Sequence, residues 1–301
     1  MSPRRLDSSE PDLVRLISNP EKVFWPEHGY TKLDLARFYV EVFPWLEPYV
    51  KDRLLSLERC PDGMAGDCFY QREMPRGMPP DTPTMAIEHE HGTTHYVIGG
   101  TLVTQLALVN LGCIAVHVWN ARTRSPRHPD WVCFDLDPDS GAFADAARAG
   151  LILKDALDAL RLASFAKTSG KRGLHVFMPI DPDLDADTVR QFAKDVGHRL
   201  AQAHPDALTM EPRVAARRGR VYLDPFRNGF AQTAVAPYSV RRAPHAPVST
   251  PLAWSEVRPT LNPTDFNMGN IRERLSRNDP WKTFFESRQS LRPALRAASS
   301  L

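Results

Sequence analysis

The chain has 301 residues, and 42% of them are hydrophobic. A chain of this length and composition can bury one large core or two modest ones, which excludes a disordered protein. Its 38 basic and 36 acidic side chains nearly cancel, leaving a formal net charge of +2. Any binding of nucleic acid must therefore depend on local clusters of Lys and Arg and not on the overall charge.

No membrane span or secretory signal is expected. The first residues, MSPRRLDSSEPDL, are not followed by an apolar run. The longest apolar stretch, LALVNLGCIAVHVW, is interrupted by Asn110, Gly112 and His117 and is shorter than the roughly 20 residues that cross a bilayer. The sequence thus predicts a cytoplasmic protein.

The four cysteines give no sign of a metal knuckle or of a disulfide framework. Cys60, Cys68, Cys113 and Cys133 form no C-x-x-C pair, and two of them lie in strand-like runs. We expect free, buried thiols.

The first 130 residues mix helices and strands. A T-x-x-D capping pattern at Thr31 and Asp34 is followed by apolar residues at helical spacing, which predicts a helix in TKLDLARFYVEVFPWL. Strands are predicted in DRLLSLERC, THYVIGG and CIAVHVW. A second helix, in TLVTQLALVNL, should end before Gly112.

From residue 131 the predicted order becomes regular. It runs strand WVCFDLD, helix AFADAARAGLILKDALDAL, strands SFAKTS and LHVFMPI, helix DADTVRQFAKDVGHRLAQAH and strand RVYLD. This β-α-β-β-α-β order is that of the ferredoxin-like unit, an antiparallel sheet backed by two helices. We therefore expect an α+β fold with such a core flanked by further helices.

Two aspartates end the first strand of this unit. Because side chains alternate along a strand, Asp135 and Asp137 point to one face and Leu136 points to the other. Neighbouring carboxylates repel unless a cation or solvent separates them, and oxygen ligands suit Mg²⁺ or Mn²⁺. Taken alone, D-x-D-P is more often an ordinary turn after a strand.

Asp224, at the end of RVYLD, is a third candidate ligand. In a ferredoxin-like sheet the first and last strands can place their ends on the same side, and three carboxylates could hold two metal ions for phosphoryl or nucleotidyl transfer. Arg227 and Arg241 follow downstream, and guanidinium groups bind phosphate oxygens well. A solvated surface arginine is the alternative for each.

The connection AKTSGKRGLHVF lies between these acids. Gly170 and Gly173 allow a sharp turn, while Ser169, Lys171 and His175 add a hydroxyl and positive charge, a combination that suits a triphosphate. The spacing of a Walker A loop is absent. A plain hairpin turn, with its lysine solvated and its histidine packed, is equally compatible with this segment.

Several long motifs together resemble the polymerase domain of bacterial ligase D, a member of the archaeo-eukaryotic primase superfamily. They are FDLDP, KTSGKRGLH, LDPFRNGFAQTAVAPYSVR, APVSTPLAWSEV and the late DFNMGNIRERL with DPW. The resemblance implies one domain with a primase-polymerase fold over residues 1–301. Within it, residues 1–130 would form a mixed N-terminal subregion, 131–286 the catalytic core and C-terminal elements, and 287–301 a tail or linker.

The resemblance also implies roles for individual residues. The catalytic, metal-binding acids would be Asp135, Asp137 and Asp224. The incoming nucleotide would be bound by Phe69, Tyr70, His117, Ser169, Lys171, His175 and Arg241. The aromatic pair would stack on the base, which tolerates any base. Lys22 and Lys32 would bind the 5′-phosphate at a gap, and Arg227 would contact the DNA elsewhere.

The implied activity is that of a polymerase that extends primer 3′ ends and fills gaps at double-strand breaks in non-homologous end joining, often with ribonucleotides. It would use two Mn²⁺ or Mg²⁺ ions, nucleoside triphosphates and gapped, nicked or overhanging DNA that carries a 5′-phosphate. The implied partners are Ku and the ligase and phosphoesterase modules of ligase D, in the nucleoid. The alternatives are a metal-dependent nuclease, which needs no triphosphate site, and a non-catalytic DNA-end-binding module.

Overall fold

The computed structural model of the protein describes residues 15–298. The strands are β1 (Val23–Trp25), β2 (Tyr30–Thr31), β3 (Leu55–Arg59), β4 (Phe69–Gln71), β5 (Thr84–His89), β6 (Gly92–Val97), β7 (Cys113–Trp119), β8 (Trp131–Pro138), β9 (Phe165–Thr168), β10 (Leu174–Pro179), β11 (Leu208–Thr209), β12 (Val221–Asp224), β13 (Thr233–Val235) and β14 (Pro251–Leu252). The helices are α1 (Lys32–Val50), α2 (Leu102–Asn110), α3 (Phe143–Ala159), α4 (Ala186–Ala203), α5 (Val214–Arg217), α6 (Ile271–Arg277) and α7 (Arg292–Ala298). In this described part, no helix combines the length and the apolar character that crossing a membrane requires.

The predicted cap of the first helix is confirmed. Thr31 Oγ1 accepts a hydrogen bond from the Asp34 backbone N–H at 3.2 Å, and the Thr31 backbone N–H donates to Asp34 Oδ2 at 2.8 Å. This reciprocal pair satisfies two backbone donors that the first turn leaves without helical partners. The helix therefore begins at Lys32, directly after the β1–β2 hairpin.

The predicted ferredoxin-like core is also confirmed, and with it the α+β fold. Strands β12, β8, β10 and β9 are neighbours in that order, all antiparallel, within a six-stranded sheet that β11 and β14 extend at its two edges. Helices α3 and α4 cover one face. Their residues Leu153 and Phe192 share a buried core with Phe134 and Leu136 of β8.

Strand β8 divides its side chains between two environments, as alternation requires. Val132, Phe134 and Leu136 point to α3 and α4, whereas Trp131 and Cys133 point to a second core. That second core is formed with α1 and with a four-stranded sheet in the order β13-β7-β3-β4. The face that buries Trp131 and Cys133 continues as Asp135 and Asp137, so the two acids emerge beyond the apolar packing.

Two expectations about the chain are corrected by the structure. Cys60 and Cys68 form a disulfide, whereas Cys113 and Cys133 are free and buried as expected. The bridge follows from the pairing of β3 with β4, because the register places Arg59 opposite Phe69 and therefore brings the next residue of each strand together. No periodicity in the sequence reveals that pairing.

The second correction concerns residues 287–298, for which the sequence suggested a tail or linker. This segment packs on the domain: Leu291 and Ala294 are buried, and the Gln289 side chain donates to Ala163 O at 2.8 Å. The helix α7 is too short to show an apolar repeat, which is why the sequence pattern missed it. Residues 299–301 lie outside the described part.

Candidate active site

A cleft of about 400 Å³ lies between the two large sheets. Six residues that the sequence predicted for the site line it, namely Tyr70, His117, Asp135, His175, Arg227 and Arg241. They come from β4, β7, β8, β10 and two loops, which lie far apart in the chain. The fold thus brings six of the thirteen predicted residues to one place.

The two ends of the core unit meet at the floor of this cleft. Strand β12 pairs antiparallel with β8, and the register places Asp224 directly opposite Asp135 and Tyr222 opposite Asp137. The expectation that the last strand brings its acid to the first strand is therefore confirmed. Directly opposed residues on one face lie about 5 Å apart at their Cβ atoms, so the two carboxylates can share a cation.

Arg227 supplies that cation in the structure. Its Nε lies 3.1 Å from Asp135 Oδ2 and 3.2 Å from Asp224 Oδ2. The two carboxylates thus face one point that already holds positive charge, and carboxylate oxygens are the ligands that Mg²⁺ and Mn²⁺ prefer. The donor set fits a divalent ion bound in place of the guanidinium group.

Asp137 has a different partner. Its Oδ2 accepts a hydrogen bond from Arg217 Nη1 at 2.8 Å, and Arg217 is buried beside the ring of Tyr222. Across residues 15–298, the oxygens of the three aspartates do not come within 4.8 Å of one another as a set. Asp137 therefore stands apart from the Asp135–Asp224 pair, with one carboxylate oxygen bonded to Arg217.

The charge states of the two opposed acids differ. Burial disfavours ionisation of Asp135, but the hydrogen bond from His175 and the charge of Arg227 outweigh it, so the Asp135 pKa lies below its usual value. Burial raises the pKa of Asp224, and the nearby Asp135 acts in the same direction against Arg227. A divalent ion at this point would favour the ionised form of both carboxyl groups.

His175 is held between an aspartate and a buried lysine. Its Nε2 lies 3.3 Å from Asp135 Oδ1, and its Nδ1 lies 2.9 Å from the ammonium of Lys167, which also donates to Ser249 Oγ at 2.6 Å. Burial, followed by the charge of Lys167, lowers the His175 pKa to about 4, so the ring is neutral at pH 7. It therefore binds Asp135 as a hydrogen-bond donor and not as an imidazolium.

Lys167 was missed by sequence reasoning. It is fully buried in β9, where the register places it opposite His175, and burial lowers its pKa to about 7. The available signal was a lysine inside a short strand whose neighbours are apolar. A buried lysine is rare unless it is paired.

The loop after β9 is a tight turn closed by a hydroxyl. Ser169 Oγ accepts from the backbone N–H groups of Gly173 at 3.0 Å and Lys171 at 3.2 Å, and Ser169 O accepts from Arg241 Nη1 at 2.7 Å. Gly170 has a φ of +74°, and a Cβ there would lie 2.4 Å from the Arg241 side chain. The glycine thus allows Arg241 to lie against the loop, with its guanidinium group near the cleft.

The predicted lysine of this loop lies to one side. Lys171 is half-buried and borders a second hollow, which residues 141–144 also line, and burial lowers its pKa, with Arg241 acting in the same direction. The structure therefore brings Ser169 and Arg241 together, whereas Lys171 does not line the cleft.

The opposite wall of the cleft carries an unpartnered histidine. His117 Nε2 is buried without a hydrogen-bond partner, 4.0 Å from Glu58 Oε2, which also has none. Burial and the cations Arg241 and Arg227 lower the His117 pKa well below its usual value, so the ring is neutral and this contact is no ion pair. His117 Nε2 is therefore a buried polar atom whose hydrogen-bonding capacity the protein itself does not use.

The two aromatic side chains of β4 point to opposite faces of the sheet, because consecutive residues of a strand alternate. Tyr70 is 60% exposed, lines the cleft and meets the edge of the His117 ring at 5.4 Å. Phe69 is 45% exposed and lies under the Arg59 guanidinium at 5.4 Å. Of the pair, Tyr70 is the one placed to meet a ligand in the cleft.

Lys22 and Lys32 lie together at the β1–β2 hairpin, where the Lys32 backbone N–H donates to Lys22 O at 2.8 Å. Lys22 Nζ donates to Asp62 Oδ1 at 2.7 Å. Lys32 is buried and donates to Ser18 O at 2.7 Å and Asn110 Oδ1 at 2.9 Å. Burial, with the charge of Lys22, lowers the Lys32 pKa to about 8. Both side chains already have acceptors within the protein.

The chain was compared with known proteins. The family model described as "LigD, primase-polymerase domain" matches residues 31–281. The multifunctional non-homologous end joining protein LigD of Pseudomonas aeruginosa is 30% identical over 287 residues, which cover 93% of this chain and 34% of that protein. The bifunctional LigD of Bacillus subtilis is 28% identical over 272 residues, covering 89% of this chain and 44% of that protein.

A solved structure agrees with these matches. The polymerase domain from Mycobacterium tuberculosis ligase D, in complex with DNA, superposes with a TM-score of 0.84 at 27% identity and covers 90% of this chain and 97% of that one. The chain spans about a third of the length of the Pseudomonas aeruginosa protein. Because the family model covers most of the chain and the fold agrees with a solved member, this chain belongs to the LigD primase-polymerase domain family.

Proposed function

We propose that this chain is a metal-dependent nucleotidyltransferase that extends primer 3′ ends and fills gaps at DNA double-strand breaks during non-homologous end joining. The observation that carries the proposal is the pairing of Asp135 with Asp224 around one cationic point, at the floor of a cleft that also holds Arg241, His117 and Tyr70. An end-binding surface alone would need no such pair of half-buried acids, and a nuclease would need no open aromatic face opposite them.

Asp135, Asp137 and Asp224 would hold the divalent ions. Mg²⁺ or Mn²⁺ bound there would lower the pKa of an attacking 3′-hydroxyl and neutralise the charge of the leaving pyrophosphate. Arg227, no longer needed as the partner of these acids, would turn to the DNA backbone, where guanidinium groups bind phosphate oxygens.

The chain's own groups would then bind and orient the nucleotide. Arg241 presents a guanidinium beside the Ser169 loop and can donate to a triphosphate. The neutral His175 has one N–H, on Nε2, which donates to Asp135 and would hold that acid in place beside the nucleotide. The exposed ring of Tyr70 would stack on the base without selecting among bases. His117 Nε2, which has no partner in the protein, would bond the sugar or phosphate of the same nucleotide.

The finer features follow as parts of the same proposal. Phe69 and Lys171 are proposed to contact the nucleotide. Lys22 and Lys32 are proposed to bind the 5′-phosphate once their present acceptors are exchanged for phosphate oxygens. Preference for ribonucleotides, binding of Ku and cooperation with ligase and phosphoesterase modules are proposed as well, supported by the family to which the chain belongs.

The test is extension of a labelled primer on a gapped duplex that carries a 5′-phosphate, with Mn²⁺ or Mg²⁺ and each of the eight common nucleotides. We expect extension by the wild type, faster with ribonucleotides, and none by Asp135→Asn, because that change removes an anionic ligand. Asp187→Asn, an exposed change on α4, is the matched control and should extend normally.

Three outcomes would contradict the proposal. Extension by Asp135→Asn at the wild-type rate would show that the reaction does not require these acids. Shortening of the primer when no nucleotide is present would favour a nuclease. Binding of the duplex without extension by any nucleotide or metal would favour a non-catalytic end-binding module.

A further inference from the structure

Two histidines from distant parts of the chain meet on the surface, away from the cleft. His28 Nε2 and His245 Nδ1 are 2.9 Å apart. A carboxylate oxygen of Glu27 completes a set of three donor atoms that all lie within 4.8 Å of one another, and all three residues are exposed. Between residues 15 and 298, no other three side chains of His, Cys, Asp or Glu bring their donor atoms so close.

The backbone holds these side chains together without help from a ligand. The turn that carries Glu27 and His28 is closed by the His28 N–H, which donates to Trp25 O at 3.2 Å. The buried Trp25 donates from its indole to Ala243 O at 3.1 Å, which links this hairpin to the second segment. His245 has a φ of +67°, in the left-handed region, next to the buried Ala246.

The His28 ring is further restrained by its neighbours. Tyr30 meets it edge to face, with the ring centroids 5.6 Å apart. The His28 and His245 rings are tilted by 53° with centroids 4.8 Å apart, so the short contact joins two ring nitrogens and is not a stacking contact. The two nitrogens share a hydrogen bond, so a metal ion could bind both by replacing the proton between them.

That geometry suits a tetrahedral ion. With bonds of about 2.0–2.1 Å from Zn²⁺ to nitrogen, two ligating imidazole nitrogens lie roughly 3.4 Å apart, so the rings need to separate by only about half an ångström. Two imidazoles and one carboxylate form a three-ligand set that leaves a fourth position for water. Imidazole favours Zn²⁺ over Mg²⁺ and Mn²⁺, the ions proposed for the aspartates.

We propose that Glu27, His28 and His245 bind one Zn²⁺ ion, with water as the fourth ligand. The ion would join the β1–β2 hairpin, which carries Lys22 and Lys32, to the loop that follows Arg241. It would therefore act as a structural link and not as a reacting metal, since its ligands lie outside the cleft. This inference is independent of nucleotidyl transfer.

The test measures Zn²⁺ binding by the full chain, after chelator treatment and in excess Mg²⁺ to occupy oxygen-only sites, by competition with a chromophoric chelator. The wild type should retain one Zn²⁺ and show a higher thermal midpoint with Zn²⁺ than without it. His28→Gln and His245→Asn should lose both effects. Asparagine suits position 245 because it tolerates the left-handed backbone.

His198→Gln is the matched control, since His198 is exposed on α4, and it should bind Zn²⁺ as the wild type does. Glu27→Gln keeps the size of the side chain and should weaken binding without changing the midpoint of the metal-free protein. Co²⁺ should give the visible absorption of a four-coordinate nitrogen-containing site in the wild type and in His198→Gln only. Equal Zn²⁺ retention by the wild type, His28→Gln and His245→Asn, or no retention by the wild type, would overturn the proposal.

Discussion

The buried ammonium of Lys167 determines how His175 can act. The ionised Asp135 carboxylate only accepts hydrogen bonds, so the proton of the neutral His175 ring lies on Nε2, and Nδ1 accepts from the amino group of Lys167. Lys167 thus positions a donor at the floor of the cleft without reaching the cleft itself. Ser249 Oγ, at 2.6 Å, holds the ammonium in place.

We expect Lys167→Met to lower nucleotide addition by about 10–100-fold, the usual effect of removing a partner behind a ligand residue. The fold should be retained, because methionine fills the space without burying a charge. Steady-state kinetics should show whether kcat or the nucleotide KM changes, and a thermal melt checks the fold. An exposed change, Lys282→Met, is the control. Addition by Lys167→Met at the control rate would show that the tautomer of His175 does not matter.

His117 predicts a dependence of stability on pH. Its pKa is well below 6.5 in the folded protein, so below about pH 6.5 the unfolded chain binds a proton that the folded protein does not. Stability due to this residue is therefore present above pH 6.5 and is lost as the pH falls. Between pH 7.5 and 5.5 the loss should be about 1 kcal/mol.

Urea unfolding at the two pH values measures that loss. In His117→Gln the free energy of unfolding should fall less than in the wild type, because glutamine does not titrate. An equal pH dependence in the two proteins would mean that His117 is protonated when folded.

At the scale of elements, the Cys60–Cys68 disulfide closes the hairpin from which Tyr70 projects. A bridge across so short a loop lowers the entropy of the unfolded chain and is worth about 2–3 kcal/mol. Dithiothreitol should therefore lower the free energy of unfolding of the wild type by that amount. Dithiothreitol should not change the free energy of unfolding of the double variant Cys60→Ser with Cys68→Ser. Titration of free thiols shows whether the bridge has been reduced. No effect of dithiothreitol on the wild type would argue against the bridge.

The order of the core elements could be predicted because each pattern is local. Alternation in β8 and the T-x-x-D cap of α1 need only a few neighbouring residues. The two-residue strands β11 and β14 carry no such pattern, and the disulfide depends on the register of β3 with β4. Elements whose existence depends on a partner strand were therefore missed.

The site was predictable to a similar extent. The acids and the loop carry their chemistry in short motifs, so they could be named from the sequence. Lys167 and the bridging position of Arg227 could not, because each acquires its role from a residue on another strand. Arg217, which holds Asp137, was missed for the same reason.

At the scale of the whole molecule, one buried ion pair joins the two sheets. Arg53 Nη2 lies 2.6 Å from Asp130 Oδ1, and both side chains are almost completely buried. The Arg53 guanidinium also donates to Trp119 O at the end of β7 and lies 3.4 Å from the ring centroid of Trp131 at the start of β8. The geometry of the cleft thus depends on a contact at the far ends of its two walls.

Removing Asp130 should be costly, because the buried Arg53 would lose the carboxylate that neutralises its charge. We expect Asp130→Ala to lower the free energy of unfolding by about 3–5 kcal/mol. The control Asp187→Ala breaks an exposed pair on α4 and should cost less than about 1 kcal/mol. Denaturant unfolding measures both. Equal small losses would show that the sheets are held together by apolar packing alone.

Arg227 gives the acids an internal counterion, and this has a thermodynamic consequence. One guanidinium cannot neutralise Asp135 and Asp224 and also bind a phosphate of the DNA. A divalent ion would release Arg227 from the acids, and a DNA phosphate would hold Arg227 away from them. The ion and the DNA would therefore each favour the other's binding. Such coupling is reciprocal: the factor by which the ion tightens DNA binding equals the factor by which DNA tightens binding of the ion. An arginine that holds two carboxylates together would in this way make the assembly of a polymerase complex cooperative.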